Sequence, residues 1–289
     1  MSEKFKTKIG GQALIEGIMM RGPYKTCLAV RKNDGSIYSE VSDTVKNPVS
    51  KIPFVRGVAA MFISLKTGYG YLMKSADIAY PDEEQTQGSA LWSTVLALLL
   101  AVGLFVLLPT FLTGLLDKWI DLGGFRSVAE GIIKLFVFLL YIFSVTRMKE
   151  IHRVFEYHGA EHKTIFCYEN GEELTVENVR KYSRFHPRCG TSFLFIVIII
   201  SIIVSSFISW DSIIIRVLLK LLLLPVVIGV SYEVIQYAGG HDNAICKVLS
   251  APGLFVQRFT SFEPDDSMIE IAVISLKAVI PENKEDGKW

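Results

Sequence analysis

Four stretches of this chain are almost purely apolar, at 91–116, 128–145, 193–209 and 213–230. As helices, such runs cross most or all of a hydrocarbon layer about 30 Å thick. The connections at 117–127 and 210–212 are short, so the spans pair as antiparallel neighbours and the last two form a tight hairpin. Pro109 and Pro225 fall inside spans, where a proline kinks a helix. The pattern predicts a mainly α, polytopic membrane protein with about four transmembrane helices. A small α+β cytoplasmic assembly is expected beside them.

The first ninety residues follow a different rhythm. Segments 14–20, 27–32 and 37–45 read as short strands, and Asn33-Asp34-Gly35 between the last two is a hairpin turn. Segment 54–80 then reads as a helix, with Arg56, Lys66 and Lys74 among Phe54, Val58, Met61, Phe62 and Leu65. That mixture suits a helix lying in the membrane interface. A fifth span is the alternative, disfavoured by its three cations and three glycines. Pro81 to Gln85 reads as a polar linker. Near the other end, Pro264-Asp265-Asp266-Ser267 precedes an apolar run at 268–280 and marks a helix start. The expected organisation is an N-terminal α+β region with its interfacial helix (1–90), two spans (91–146), a polar loop (147–192), two further spans (193–237) and a C-terminal region (238–289).

Lysine and arginine set the orientation. Twelve precede the first span, eight lie in the 147–192 loop and five follow the fourth span, whereas the first short connection holds only Lys118 and Arg126 and the second none. The positive-inside bias places both termini and the long loop in the cytoplasm, with the chain in the plasma membrane. The first twelve residues carry no apolar core or cleavage signal, so insertion is expected to be directed by the internal spans.

Composition agrees with a bilayer partner. Hydrophobic residues make up 51% of the 289 positions and mean hydropathy is +0.38. A net charge of +1 gives no nucleic-acid footprint. Cys27, Cys167, Cys189 and Cys246 all fall outside the predicted spans and form no CxxC pair, so reduced thiols are expected and a zinc ribbon is excluded.

Within the loop, His158-Gly159-Ala160-Glu161-His162 has the form H-x-x-E-H. On a helix, positions four apart share a face, so both imidazoles can reach one ion. Glu161 lies on nearly the same face and can act as general base, the arrangement of the inverted zincins. A divalent ion, zinc above all, is the cofactor this predicts. Ile151, Val154, Phe155, Glu161 and Ile165 recur at helical spacing, as if continuing the second span, although Gly159 weakens the helix. The alternative is a surface helix whose His and Glu pair with neighbours.

A catalytic ion needs a third protein ligand. Glu233, emerging at the end of the fourth span, is the first choice, and a salt bridge to Arg147 or Lys149 is its alternative. His241 comes second, or simply ends the helix after Gly239-Gly240. His186 and Cys189 in His186-Pro187-Arg188-Cys189 are further donors, and Arg188 could hold a carboxylate or phosphate; a polar helix cap is the competing reading. At the N-terminus, Gly10 and Gly11 allow close backbone approach, and Glu16 and Arg21 either share a site or form a strand–loop pair. Lys134, Arg216 and Lys220 fall near the outer ends of spans, where long side chains snorkel. With no acid read at mid-membrane, a proton-coupled transporter is disfavoured.

The segments GGQALIEGIMMRGP, YHGAEHKTI, HPRCGTSF and SAPGLFVQRFTSFEPDD resemble, in that order and over nearly the whole chain, the bacterial YqhQ family. The resemblance implies a multi-pass membrane protein and a metal-dependent enzyme using His158, Glu161 and His162, with no substrate identified. The expected function is a metal-dependent hydrolase at the cytoplasmic membrane surface. A non-enzymatic membrane scaffold with a structural histidine cluster is the second reading, and a transporter the third.

Overall fold

A computed structural model describes residues 4–81, 87–208, 212–241 and 243–288. The predicted 82–85 part of the linker, most of the last hairpin connection and Asp242 lie outside them. The chain begins with a four-stranded antiparallel meander, β1 (Gly10–Leu14), β2 (Gly17–Arg21), β3 (Lys25–Arg31) and β4 (Ile37–Asp43), in the order β1-β2-β3-β4. The expected strand over 14–20 is two strands. The chain reverses at Ile15-Glu16, and Glu16 takes a φ of 50°, which the residue type does not announce.

Helix α1 (Val55–Ala79) follows the sheet. It packs along the C-terminal half of α8 (Ile213–Gly240), where Gly57 and Gly229 permit close approach to Tyr232 and Phe54. Helices α2 (Gln87–Val102) and α3 (Leu108–Asp117) join through a π-helical turn at Gly103–Leu107. Pro109 lacks an N–H and crowds the preceding turn, which explains the wider turn there. Thr110 Oγ1 donates to the Val106 carbonyl at 2.8 Å.

Among the described residues three segments are long and apolar enough to cross a membrane: Trp92–Asp117, Gly123–Val145 and Ile214–Gly240. The fourth expected span is α7 (Gly190–Ser206), only 17 residues, with its apolar part at Phe193–Ser206. At 1.5 Å per residue it measures about 26 Å, short of the full core. Helix α4 (Arg126–Val145) ends at Thr146 rather than running on. A new helix, α5 (Lys149–Glu169), starts after an extended Met148.

Helix α9 (Ala244–Thr260) packs on α7 and α4. The C-terminal acidic start behaves as expected: Asp265 caps α10 (Asp266–Lys277) by accepting the Met268 N–H at 3.0 Å. The sheet, α5, the short α6 (Val176–Arg180) and α10 share one core built from Ile18, Met20, Tyr157, Ile165, Val179 and Ile271 among others. Thr7 bridges Lys288, so the two ends of the chain meet in this assembly.

The cations expected to snorkel do not. Arg216 and Lys220, in the first turns of α8, turn inward to Glu130 of α4. Glu130 is 3% exposed; it pairs with Lys220, lies 3.2 Å from Arg216 and accepts from Thr110 at 3.0 Å. Lys134 donates to Ser201 at 3.4 Å. Burial in an apolar bundle makes pairing cheaper than a bare charge.

Candidate metal centre

Three donors meet where α5, the start of α7 and the end of α9 come together. One nitrogen each from His158 and His162 and the Cys189 sulfur all lie within 4.8 Å of one another. His158 Nε2 is 3.1 Å from Cys189 Sγ, and the two imidazole centroids are 4.2 Å apart.

The local sequence explains each placement. His158 and His162 share a face of α5 because they are four residues apart. Gly159 between them is required by packing: a Cβ there would sit 2.0 Å from the Phe262 carbonyl oxygen. Cys189 is the N-cap of α7, its sulfur facing the Thr191 N–H at 3.5 Å. The loop before it is pinned on three sides. Gln257 accepts the His186 N–H at 2.7 Å and donates to the His186 carbonyl at 2.8 Å. Arg188 pairs with buried Glu169, which also accepts the Thr7 N–H at 2.7 Å. The Arg184 carbonyl accepts from Ser261 Oγ at 3.1 Å.

The tautomers follow from the partners. His158 Nδ1 lies 2.5 Å from the Thr260 carbonyl, and His162 Nδ1 lies 2.6 Å from the Arg184 carbonyl. A carbonyl only accepts, so each Nδ1 carries a proton and each Nε2 is the ring nitrogen left toward the cluster. Outer hydrogen bonds of this kind orient histidines that ligate metals. Thr260 closes α9, so its carbonyl is one of the acceptors a helix end leaves unfilled.

Electrostatics sharpen the picture. Burial alone would lower His158, but Cys189 and Glu161 beside it raise it to about 9. Burial alone would raise Cys189, but His158 and His162 hold it well below the usual thiol range. The sulfur is thus a thiolate ligand in waiting. Burial raises Glu161, against the pull of both histidines and the Gly11 N–H.

Glu161 stands beside the donors. Its Oε1 accepts the Gly11 N–H from edge strand β1 at 3.0 Å, and a Cβ on Gly11 would come within 3.0 Å of its carboxyl carbon. A cavity of about 410 Å³ opens here, lined by Gly10, Gly11, His158, Glu161, His162 and Cys189 among others.

The remaining expected donors sit elsewhere. Glu233 lies beneath the start of α1, where it accepts from Phe54 N at 3.0 Å and from Arg56 at 2.8 and 2.5 Å. His241 closes α8, stacked on Tyr237 with Nδ1 2.9 Å from the Tyr237 carbonyl. His186 borders the cavity, but its Nδ1 accepts the Arg188 N–H at 3.3 Å and its Nε2 faces Glu169 at 3.6 Å. Burial, opposed by Glu169 and reinforced by His162 and Arg188, brings His186 down to about 4. Glu16 takes Arg153 of α5 in a two-pronged pair at 2.5 and 2.6 Å, and Arg21 donates to the Val45 carbonyl at 2.6 Å.

Sequence reasoning passed over Glu169, Gln257 and the Thr260 and Arg184 carbonyls. All four act through the fold, and only the carboxylate of Glu169 inside the H-x-x-E-H helix was a visible signal.

The fold and this centre define a class: a mainly helical, membrane-associated protein with a polar assembly presenting a His/His/Cys cluster that could bind a metal. The chain belongs to the family described as "Protein of unknown function (DUF1385)", whose model matches residues 52–282. It is 35% identical to "Uncharacterized protein YqhQ" of Bacillus subtilis (strain 168), an alignment covering 94% of this chain and 92% of that protein. No solved structure matches it.

Proposed function

We propose that this protein is a metal-dependent hydrolase working at the cytoplasmic face of the plasma membrane, with His158, His162 and Cys189 as ligands and Glu161 as general base. The observation that carries the reading is the pair of imidazoles anchored through Nδ1 to backbone carbonyls, with Cys189 closing the third corner. Two nitrogens and a thiolate suit zinc, and three protein ligands leave a fourth position. Glu233 and His241, ligands by sequence, are replaced in this reading by Cys189.

A bound ion would supply Lewis acidity and lower the pKa of water at that fourth position. The chain's residues do the rest. Glu161 accepts one proton from the attacking water, and its raised pKa brings it nearer the operating range of a base. It returns that proton to the leaving group as the scissile bond breaks, which balances the hydrolysis. Gly11 holds the carboxylate in place through its N–H.

In the same reading α7 is a fourth, short span, α1 lies in the interface, and both chain ends face the cytoplasm. The shared core of the N-terminal sheet, α5 and α10 supports a common compartment for them.

Metal analysis of the purified protein tests the proposal. About one divalent ion per chain is expected in wild type and almost none in His158→Ala with His162→Ala. Glu161→Gln should keep the ion and fail to complement a deletion. Complementation by Glu161→Gln would favour the scaffold instead. A second reading rests on the 3.1 Å contact between Cys189 and His158, which also fits a thiolate nucleophile and its base. It predicts rapid alkylation of Cys189 by iodoacetamide that added zinc does not slow.

A further inference from the structure

Beside the metal centre lies a second and larger cavity, of about 600 Å³, between α1, α7 and the last turns of α8. Its walls are mainly apolar: Ala60, Met61, Leu65, Phe193, Ile235 and Ala238 contribute most of the character. Gln12, Arg188, Cys189, Gly190 and Leu194 line both cavities, so the two spaces adjoin beside the metal centre. The polar end is therefore the centre itself and the apolar end runs between helices.

The rim of the apolar cavity is greasy as well. Leu65, Tyr69 and Leu194 line it and are 58%, 44% and 43% exposed. Helix α8 is one of the membrane-capable segments, and its last turns line this cavity. With α1 in the interface and α7 a short span, as proposed above, the mouth opens at the membrane boundary. Its size falls within the ~300–1,000 Å³ of ligand sites, which pair apolar walls with a few polar groups.

Resting on the hydrolase reading above, we infer that the substrate is a membrane lipid, with one acyl or prenyl chain in the cavity between α1, α7 and α8 and its cleavable polar group at His158, His162 and Cys189. A peptide is the poorer occupant. Its backbone N–H and C=O groups would need partners every few ångströms, and the apolar walls would leave most unsatisfied at a cost of several kcal/mol each in a membrane setting. A lipid tail asks for none. Gln12 stands at the junction, its Nε2 donating to the Gly68 carbonyl at 3.4 Å, and is placed to meet the first polar atoms of the lipid.

The test uses the full chain in vesicles of phosphatidylethanolamine and phosphatidylglycerol. The probe is a phosphatidylglycerol with a photoreactive diazirine near the end of one acyl chain. Labels are expected on Met61, Leu65, Phe193 or Ile235, above those on outward residues such as Phe136 and Leu222. Ala60→Trp, which fills the cavity, should lower cavity labelling about tenfold, the loss that goes with roughly 1.4 kcal/mol of binding. Ala238→Leu, a milder filling, should lower it in the same direction while the protein stays monodisperse. Free glycerol 3-phosphate should not compete, because the tail provides the hold. Labels confined to outward residues, or cavity labelling unchanged in both variants, would overturn the inference. His158→Ala with His162→Ala separates the two claims: it removes the ion, while tail labelling persists.

Discussion

Two of the polar clusters buried among the described residues are built in opposite ways. Around Glu130, donors meet acceptors: Lys220, Arg216 and Thr110 converge on one carboxylate, packed between α3, α4 and α8. Around Cys189, electron-pair donors meet each other: two imidazoles and a sulfur converge, with a carboxylate nearby and a cavity alongside. The first arrangement pairs opposite charges and holds helices together. The second is stable only when something positive, a proton or an ion, sits among the donors. Burial alone therefore does not mark a functional site. What separates the two is whether the buried groups already pair opposite charges.

The sharpest way to break this contrast is to cut each cluster in turn. Glu130→Ala leaves Arg216 and Lys220 buried without a counter-charge and should destabilise the protein by about 3–5 kcal/mol. In metal-free protein Cys189→Ala should cost only about 1 kcal/mol, the loss of a small packed group. Thermal unfolding in detergent compares the two, and equal losses would make the second cluster as structural as the first. Next in size, Gly159→Ala drives a methyl against the Phe262 carbonyl. It should cost about 1–3 kcal/mol by overpacking and should weaken metal binding by tilting α5, though no ligand changes.

Acid probes the loop that carries Cys189. Folded His186 titrates at about 4, below its ordinary 6.5. Between those values the unfolded chain binds a proton that the folded chain refuses, so the His186 contribution to stability is whole above pH 6.5 and declines as pH falls toward 4. Glu169 adds to the loss at lower pH. Burial alone would raise it, but His186, Arg188 and the Thr7 N–H hold it below the usual carboxylate range. A melting midpoint independent of pH over that window would contradict the neutral His186. The smallest effect is expected from Ser261→Ala, which removes a donor from the Arg184 carbonyl that His162 also uses. Metal affinity should fall by less than about tenfold, since a direct outer partner is worth 10–100-fold.

Much of this was legible from the residues. Long apolar runs read as four spans, of which three are membrane-capable helices among the described residues and the other is the shorter α7, and the acidic cap before α10 marked its start. H-x-x-E-H gave two of the three donors, because helical periodicity fixes neighbours four apart. Cys189 was a further donor by type, but its place beside His158 depends on contacts across 31 positions, which spacing does not encode. Glu233 looked like a ligand because an acid at a span's end needs a partner. That partner is Arg56, 177 positions earlier. Glu130, inside the 128–145 run, was not singled out. The charges of Arg216 and Lys220 in another span were its visible complement.

The central claim is that His158, His162 and Cys189 hold one ion together. Zinc K-edge X-ray absorption on the zinc-loaded full-length protein tests it most directly. The account predicts two nitrogens at about 2.0 Å and one sulfur at about 2.3 Å, with a lighter fourth scatterer, and loss of the sulfur shell in Cys189→Ser. A shell of oxygens alone, or a spectrum unchanged by Cys189→Ser, would contradict it.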